Sequence, residues 1–146
     1  MGQFLSPAAL PLPNFPELTP DSLAHSVKHQ LAAASALVAE AESVVAGGEL
    51  GYLETLEQAE NQLQQAWGLL SHLNAVRNTP ELRDTYNGLL PELSRFYTEQ
   101  GQHQPLYLCY QRVAQSAAFA QLSPARQEAI RLALRDFELS GIALEG

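Results

Sequence analysis

The stretch LETLEQAENQLQQAWGLLSHLNAVRN, residues 53–78, decides the fold. Leu56, Ala59, Leu63, Ala66, Leu70 and Leu73 recur at alternating steps of three and four. That spacing lays one continuous apolar stripe along a helix. Trp67 and Leu69 widen the stripe, so the helix is expected to be covered on more than one side. Glu54, Glu57 and Glu60 stand near its start and Arg77 at its end, the polarity that the helix dipole favours. The remaining segments read as elements that pack on this one.

Upstream, Thr19-Pro20-Asp21 is a helix start: a threonine cap, proline at the first helical position and an acid behind it. Leu23, Val27, Leu31, Ala34, Val38, Ala41 and Val45 follow at steps of four and three, and Gly47-Gly48 is the expected stop. The organising helix is expected from about Tyr52 to Val76. Thr79-Pro80-Glu81 repeats the start signal, and Leu82, Tyr86, Leu89, Leu93 and Phe96 form the next stripe. Pro91 lies inside it and is expected to kink or split the helix near Gly88, before Gly101 closes it. A fourth helix is expected over Gln104–Ala118, with Leu106, Tyr110, Val113 and Ala117 inward. Ser123-Pro124 opens a fifth that presents Ile130, Ala133, Leu134 and Phe137 and ends at Gly141. The fold class is all-α: an antiparallel array of about five helices with short connections. Residues 1–18 carry Pro7, Pro11, Pro13 and Pro16, which favour an extended segment ahead of a helical domain over 19–146.

Composition narrows the function classes. The 146 residues suit one domain with a real core. Sixteen acids face eight bases, and no stretch gathers the bases, so a nucleic-acid footprint or attraction to an anionic membrane is not expected. A single cysteine, Cys109, excludes an internal disulfide and a cysteine-based zinc site. No apolar run is long enough to span a membrane, and no basic residue precedes Lys28 as a secretory signal would require. A cytoplasmic location is the expectation. Gly2 and Ser6 match the loose myristoylation pattern, but no basic cluster supplies a second anchor.

The candidate chemical groups are sparse. His25 and His29 share a helix face at the spacing of a helical zinc site. The residue after the first histidine is Ser26, where a metallopeptidase places its glutamate base, and no third ligand is evident. They read as surface histidines. Cys109 flanks an apolar face and reads as a small buried hydrophobe. Ser71 and His72 point about 100° apart on a helix and form no nucleophile–base pair with each other. His103 falls in a turn and is expected to be exposed. Gly47, Gly48 and Gly51 follow a helix rather than a strand, so they are no phosphate loop. Tyr97, Tyr107 and Tyr110 lack basic neighbours and read as core or rim residues. Catalytic, cofactor-binding and metal residues are therefore expected to be none.

A family resemblance adds what these residues do not say. Trp67, Ser71-His72-Leu73-Asn74, Asn78, Pro80-Glu81-Leu82-Arg83 and Tyr86-Asn87 resemble the N-terminal region of the oligopeptidase A and thimet oligopeptidase family of zinc peptidases. Leu90-Pro91, Leu93-Ser94 and Thr98-Glu99-Gln100-Gly101-Gln102 continue it, as do Ala133-Leu134-Arg135-Asp136-Phe137 and Leu139-Ser140-Gly141. Leu12-Pro13, Phe15 and Pro20 fit more loosely. Gly51-Tyr52-Leu53-Glu54 departs, since the family more often has a tryptophan, an acid and an asparagine there. The resemblance implies a largely helical segment that shapes a channel admitting short peptides. It also implies zinc and its His-Glu-x-x-His motif in a C-terminal catalytic domain that nothing here supplies. This chain alone is then expected to be an inactive monomer whose partners are that domain and short peptides. The alternative is a free-standing helical module that binds a protein or peptide without enzyme activity.

Overall fold

The computed structural model describes residues 18–142, and every residue within that span adopts helix, turn or connecting coil, with no strand. The proline-rich segment up to Pro16 and the lipidation motif at Gly2 lie outside the described residues. The elements run α1 (Pro20–Ala39), a 3-10 turn (Glu40–Ser43), α2 (Glu49–Arg77), α3 (Pro80–Gly101), α4 (Gln104–Ala114), α5 (Ala117–Ala120) and α6 (Pro124–Leu139). The all-α array expected from periodicity is the fold.

The organising stretch is α2. Leu53, Leu56, Ala59, Leu63, Leu70 and Leu73 are buried along it. Helices α1, α3 and α4 pack against it, and α6 packs on α4. Each flanking helix contributes its own stripe: Leu23, Val27, Ala34 and Val38 from α1, Leu82, Leu89, Leu93 and Phe96 from α3, and Leu106, Cys109, Tyr110 and Val113 from α4. Ile130, Phe137 and Ile142 close the core at the C-terminal end. The starts follow the Ser/Thr-Pro signals. Thr19 Oγ1 accepts from the Ser22 N–H at 3.1 Å while Ser22 Oγ accepts from the Thr19 N–H at 2.9 Å, a reciprocal capping box. Thr79 and Ser123 accept from the N–H groups of Leu82 and Arg126 in the same way. Asn78 ends α2 in the left-handed region at φ 50°, which its short polar side chain tolerates.

Three boundaries differ from expectation. Helix α1 does not continue to Gly47; it ends at Ala39, and Val45, expected inward, is 73% exposed. The Tyr52 hydroxyl donates to the Leu37 carbonyl at 2.6 Å, so the oxygen that another α-turn would have used is held from the neighbouring helix. The chain then winds into the 3-10 turn, which still buries Ala41. Helix α2 begins at Glu49 rather than Tyr52, because the Glu49 carboxylate accepts from the Gly47 N–H at 2.9 Å and fixes the first turn. The helix expected over 104–118 is two, broken at Gln115 and Ser116, so there are six α-helices among the described residues and Ala117 is exposed. Ser116 Oγ donates back to the Val113 carbonyl at 2.7 Å, competing with the helix ladder. Pro91, in contrast, does not split α3. Pro91 and Asn87 are both exposed, so water can satisfy the Asn87 carbonyl that the proline leaves without a donor.

Candidate functional site

A cleft of about 270 Å³ opens where α2, α3, α4 and α6 meet. Glu60 of α2 forms one wall, Tyr97, Gln100 and Gly101 of α3 another, Leu106 and Tyr110 of α4 the floor, and Ala133, Asp136 and Phe137 of α6 the far side. Periodicity explains how a polar group reaches this place. Glu60 lies four residues after Leu56 and three before Leu63, in the register of the buried stripe. Gln100 lies four after Phe96 on the stripe of α3. The two meet, and the Gln100 amide donates to the Glu60 carboxylate.

Burial pushes the Glu60 carboxyl above its ordinary value of 4.5; the Gln100 hydrogen bond opposes the shift and the nearby Glu57 charge adds to it. Tyr110 and Tyr97 are also pushed up, chiefly by burial and then by the Glu60 charge, with Gln64 opposing the shift at Tyr97. Beside the cleft, Arg126 ties the start of α6 to α2 through Glu57 and, at 3.8 Å, Glu54. A second polar junction sits at the other end of α4. There Glu49, only 7% exposed, faces Arg112 at 3.7 Å.

The groups singled out from the sequence do not converge. His25 and His29 are exposed with ring centroids 6.3 Å apart and nearly parallel planes. Cys109 is buried, its thiol 3.9 Å from the Ala41 carbonyl, and burial followed by the Glu49 charge raises its pKa against the opposing pull of Arg112. Both effects suppress thiolate, so it packs rather than attacks. Ser71 is half-buried and His72 exposed. His103, expected to be exposed, is half-buried at the N-cap position of α4, with Nε2 enclosed and lacking a hydrogen-bond partner. Tyr107 and Tyr110 are core residues at 6% exposure each, and Tyr97 is a rim residue at 40%. Gly47 turns the chain at φ 94°. Among the described residues no three His, Cys, Asp or Glu side chains gather as a metal-holding group, so the donors present do not compose a zinc centre.

Glu60, Gln100 and Tyr52 were named in the sequence as a helix-start acid, a residue of the family resemblance and a helix boundary, and none was read as a site residue. A carboxylate and an amide in stripe register were the available signal for the first two. The pairing of Tyr52 with a carbonyl fifteen residues away had none.

With the helix order and this geometry in view, comparison with known proteins settles the class. Residues 27–146 match the family Neurolysin/Thimet oligopeptidase, N-terminal domain. The chain belongs to that family. It is 39% identical over 137 residues to oligopeptidase A of Salmonella typhimurium, which takes in 91% of this chain and 20% of that protein. It is 46% identical over 93 residues to oligopeptidase A of Haemophilus influenzae, covering 64% of this chain and 14% of the relative. A probable cytosolic oligopeptidase A of Arabidopsis thaliana is 38% identical over 93 residues, 64% of this chain and 13% of its own length. The chain thus spans a fifth or less of the length of these relatives. No helix among the described residues is long and apolar enough to cross a membrane.

Proposed function

We propose that this chain is the N-terminal helical part of an oligopeptidase A-like zinc metalloendopeptidase that hydrolyses short peptides in the cytosol. Its helical domain, residues 19–146, helps wall the channel that limits substrate size. It contributes no catalytic group, and the zinc belongs to a catalytic domain outside this sequence. Its partners are that domain and the peptides the channel admits, and the whole is a monomer.

The observation that carries this reading is the match to a relative named oligopeptidase A, continuous over 137 residues yet confined to 20% of that protein. The architecture supports it. Its stable centre is a packed helical scaffold, and its histidines and cysteine are dispersed or buried instead of converging on one point. A catalytic site requires nucleophile, base and orienting group within hydrogen-bond reach, or three metal ligands around an open position. An architectural domain needs neither.

The test has two arms. The purified chain is incubated with a fluorogenic short peptide, with and without a zinc chelator; no chelator-sensitive hydrolysis is expected. The chain is then co-expressed with the Salmonella typhimurium relative from which the matching segment has been removed. Restored chelator-sensitive hydrolysis supports the architectural role. Hydrolysis by the chain alone, or a truncated relative that neither binds the chain nor regains activity, counts against it.

A further inference from the structure

The cleft between α2, α3, α4 and α6 has a lining that the architectural role does not require. Its floor is formed by buried side chains: Leu106 is fully buried, and Tyr110 and Phe137 are each 6% exposed. The Tyr110 and Phe137 rings stand 5.7 Å apart at 52°, forming an inclined aromatic corner. Glu60 is half-buried in the wall, and Asp136 is exposed at the rim on the α6 side.

The charges do not balance. Among the described residues neither Glu60 nor Asp136 has an ion-pair partner. The Gln100 amide satisfies Glu60 as a hydrogen-bond donor but brings no charge. Arg126, whose charge reaches Tyr110, is already held by Glu57 and Glu54. A carboxylate withdrawn from water without a countercharge is costly, and the cost is relieved by a cation that enters from outside. Aromatic faces attract the same kind of group, because their quadrupole is negative over the ring.

Size and donor set narrow the class. At about 270 Å³ the cleft is smaller than the roughly 300–1,000 Å³ typical of sites for whole drug-sized ligands, so it suits a head-group. An anion would meet two carboxylates. A neutral group would leave Glu60 uncompensated. A hard divalent cation wants six or more oxygen ligands and gains nothing from an aromatic floor.

We propose that this cleft binds an organic cation, an alkylguanidinium or alkylammonium head-group, with Glu60 as its counter-ion, Asp136 as its rim charge and Tyr110 and Phe137 as its aromatic walls. The planar guanidinium suits the site better, because it can fork onto a carboxylate and lie against a ring at once. The head-group is a basic side chain of a peptide or a free small amine. The site stands independently of the assignment to a larger peptidase, since each residue it is argued from lies in this chain.

The test is an NMR titration of the full chain with butylguanidinium and with its neutral isostere butylurea. Butylguanidinium is expected to give saturable shifts centred on Gly101, Tyr110, Ala133 and Phe137, with an affinity at least ten times that of butylurea. Glu60→Gln, which keeps shape and the hydrogen bond to Gln100, is expected to weaken binding at least tenfold. Asp136→Asn weakens it less, and Glu42→Gln, outside the cleft lining, leaves it unchanged. Agmatine and the peptide Gly-Gly-Arg-Gly-Gly form a second pair of probes. Tighter binding of the peptide assigns the site to peptide side chains, and tighter binding of agmatine assigns it to a free amine. Equal binding of butylurea, an unaltered affinity in both cleft variants, or non-saturating shifts spread over the acidic surface would overturn the proposal.

Discussion

Glu60 and Tyr52 are single residues whose surroundings set testable energies. Because burial holds the folded-state pKa of Glu60 above its ordinary value of 4.5, the native chain binds this proton more tightly than the unfolded chain does. The stability it contributes is full below that ordinary value and is lost as pH rises through the folded pKa. Glu60→Gln should therefore flatten this part of the stability–pH curve and raise the melting temperature at pH 7. Thermal denaturation of both forms from pH 4 to 8 checks it, and parallel curves would contradict the burial argument. Tyr52→Phe removes the donor to the Leu37 carbonyl and should cost about 0.5–1.5 kcal/mol, read by urea denaturation. His25 and His29 point to solvent, so replacing both with alanine should change stability by less than about 0.5 kcal/mol. Residue identity was partly legible in the sequence. Cys109 next to apolar positions announced its burial, and Glu60 and Gln100 stood in stripe register. The Tyr52 bond joins two helices, and no local pattern encodes such a pairing.

At the scale of elements, the helix starts were written in the chain and some of the ends were not. Ser or Thr followed by Pro fixes a start locally, since the cap hydroxyl and the missing proline N–H both act within one turn. Thr79→Ala and Ser123→Ala should each cost about 1 kcal/mol, measured by chemical denaturation. The ends of α1 and α4 depend on tertiary partners: the Tyr52 hydroxyl for one, and for the other the short helix α5 and its neighbours. Beyond the break at Ser116, the Arg131 guanidinium lies 5.3 Å over the Phe119 ring, and the Gln127 amide donates to the Phe119 carbonyl at 3.0 Å. Those contacts hold the chain in a new direction that an alanine-rich periodic reading continues straight through. The stripe of α2 was largely legible because Leu56, Ala59, Leu63, Leu70 and Leu73 agree on one face; Ala66 is only half-buried, and Leu53, outside the expected stripe, is buried. Leu63 and Leu70 are both fully buried, so either Leu→Ala change should cost about 2–5 kcal/mol. A loss below roughly 0.5 kcal/mol at both positions would mean that α2 is not the centre of the core.

For the molecule as a whole, the fold follows from one long helix that needs cover on several sides and neighbours that each carry a matching stripe. The function does not follow from that packing. Family membership came from residue identities in order, and the dispersed histidines and buried thiol fit a scaffold. The cleft stayed hidden in the sequence because its lining comes from four helices between Glu60 and Phe137, and only the packed array brings them together. The central claim is that this scaffold belongs to a larger peptidase. The most direct measurement is the size of the native protein in its source cells, by immunoblot with an antibody to this segment followed by intact mass. The account predicts a species several-fold larger than 15.9 kDa, in keeping with relatives of which the chain spans a fifth or less. A native species at 15.9 kDa would contradict it.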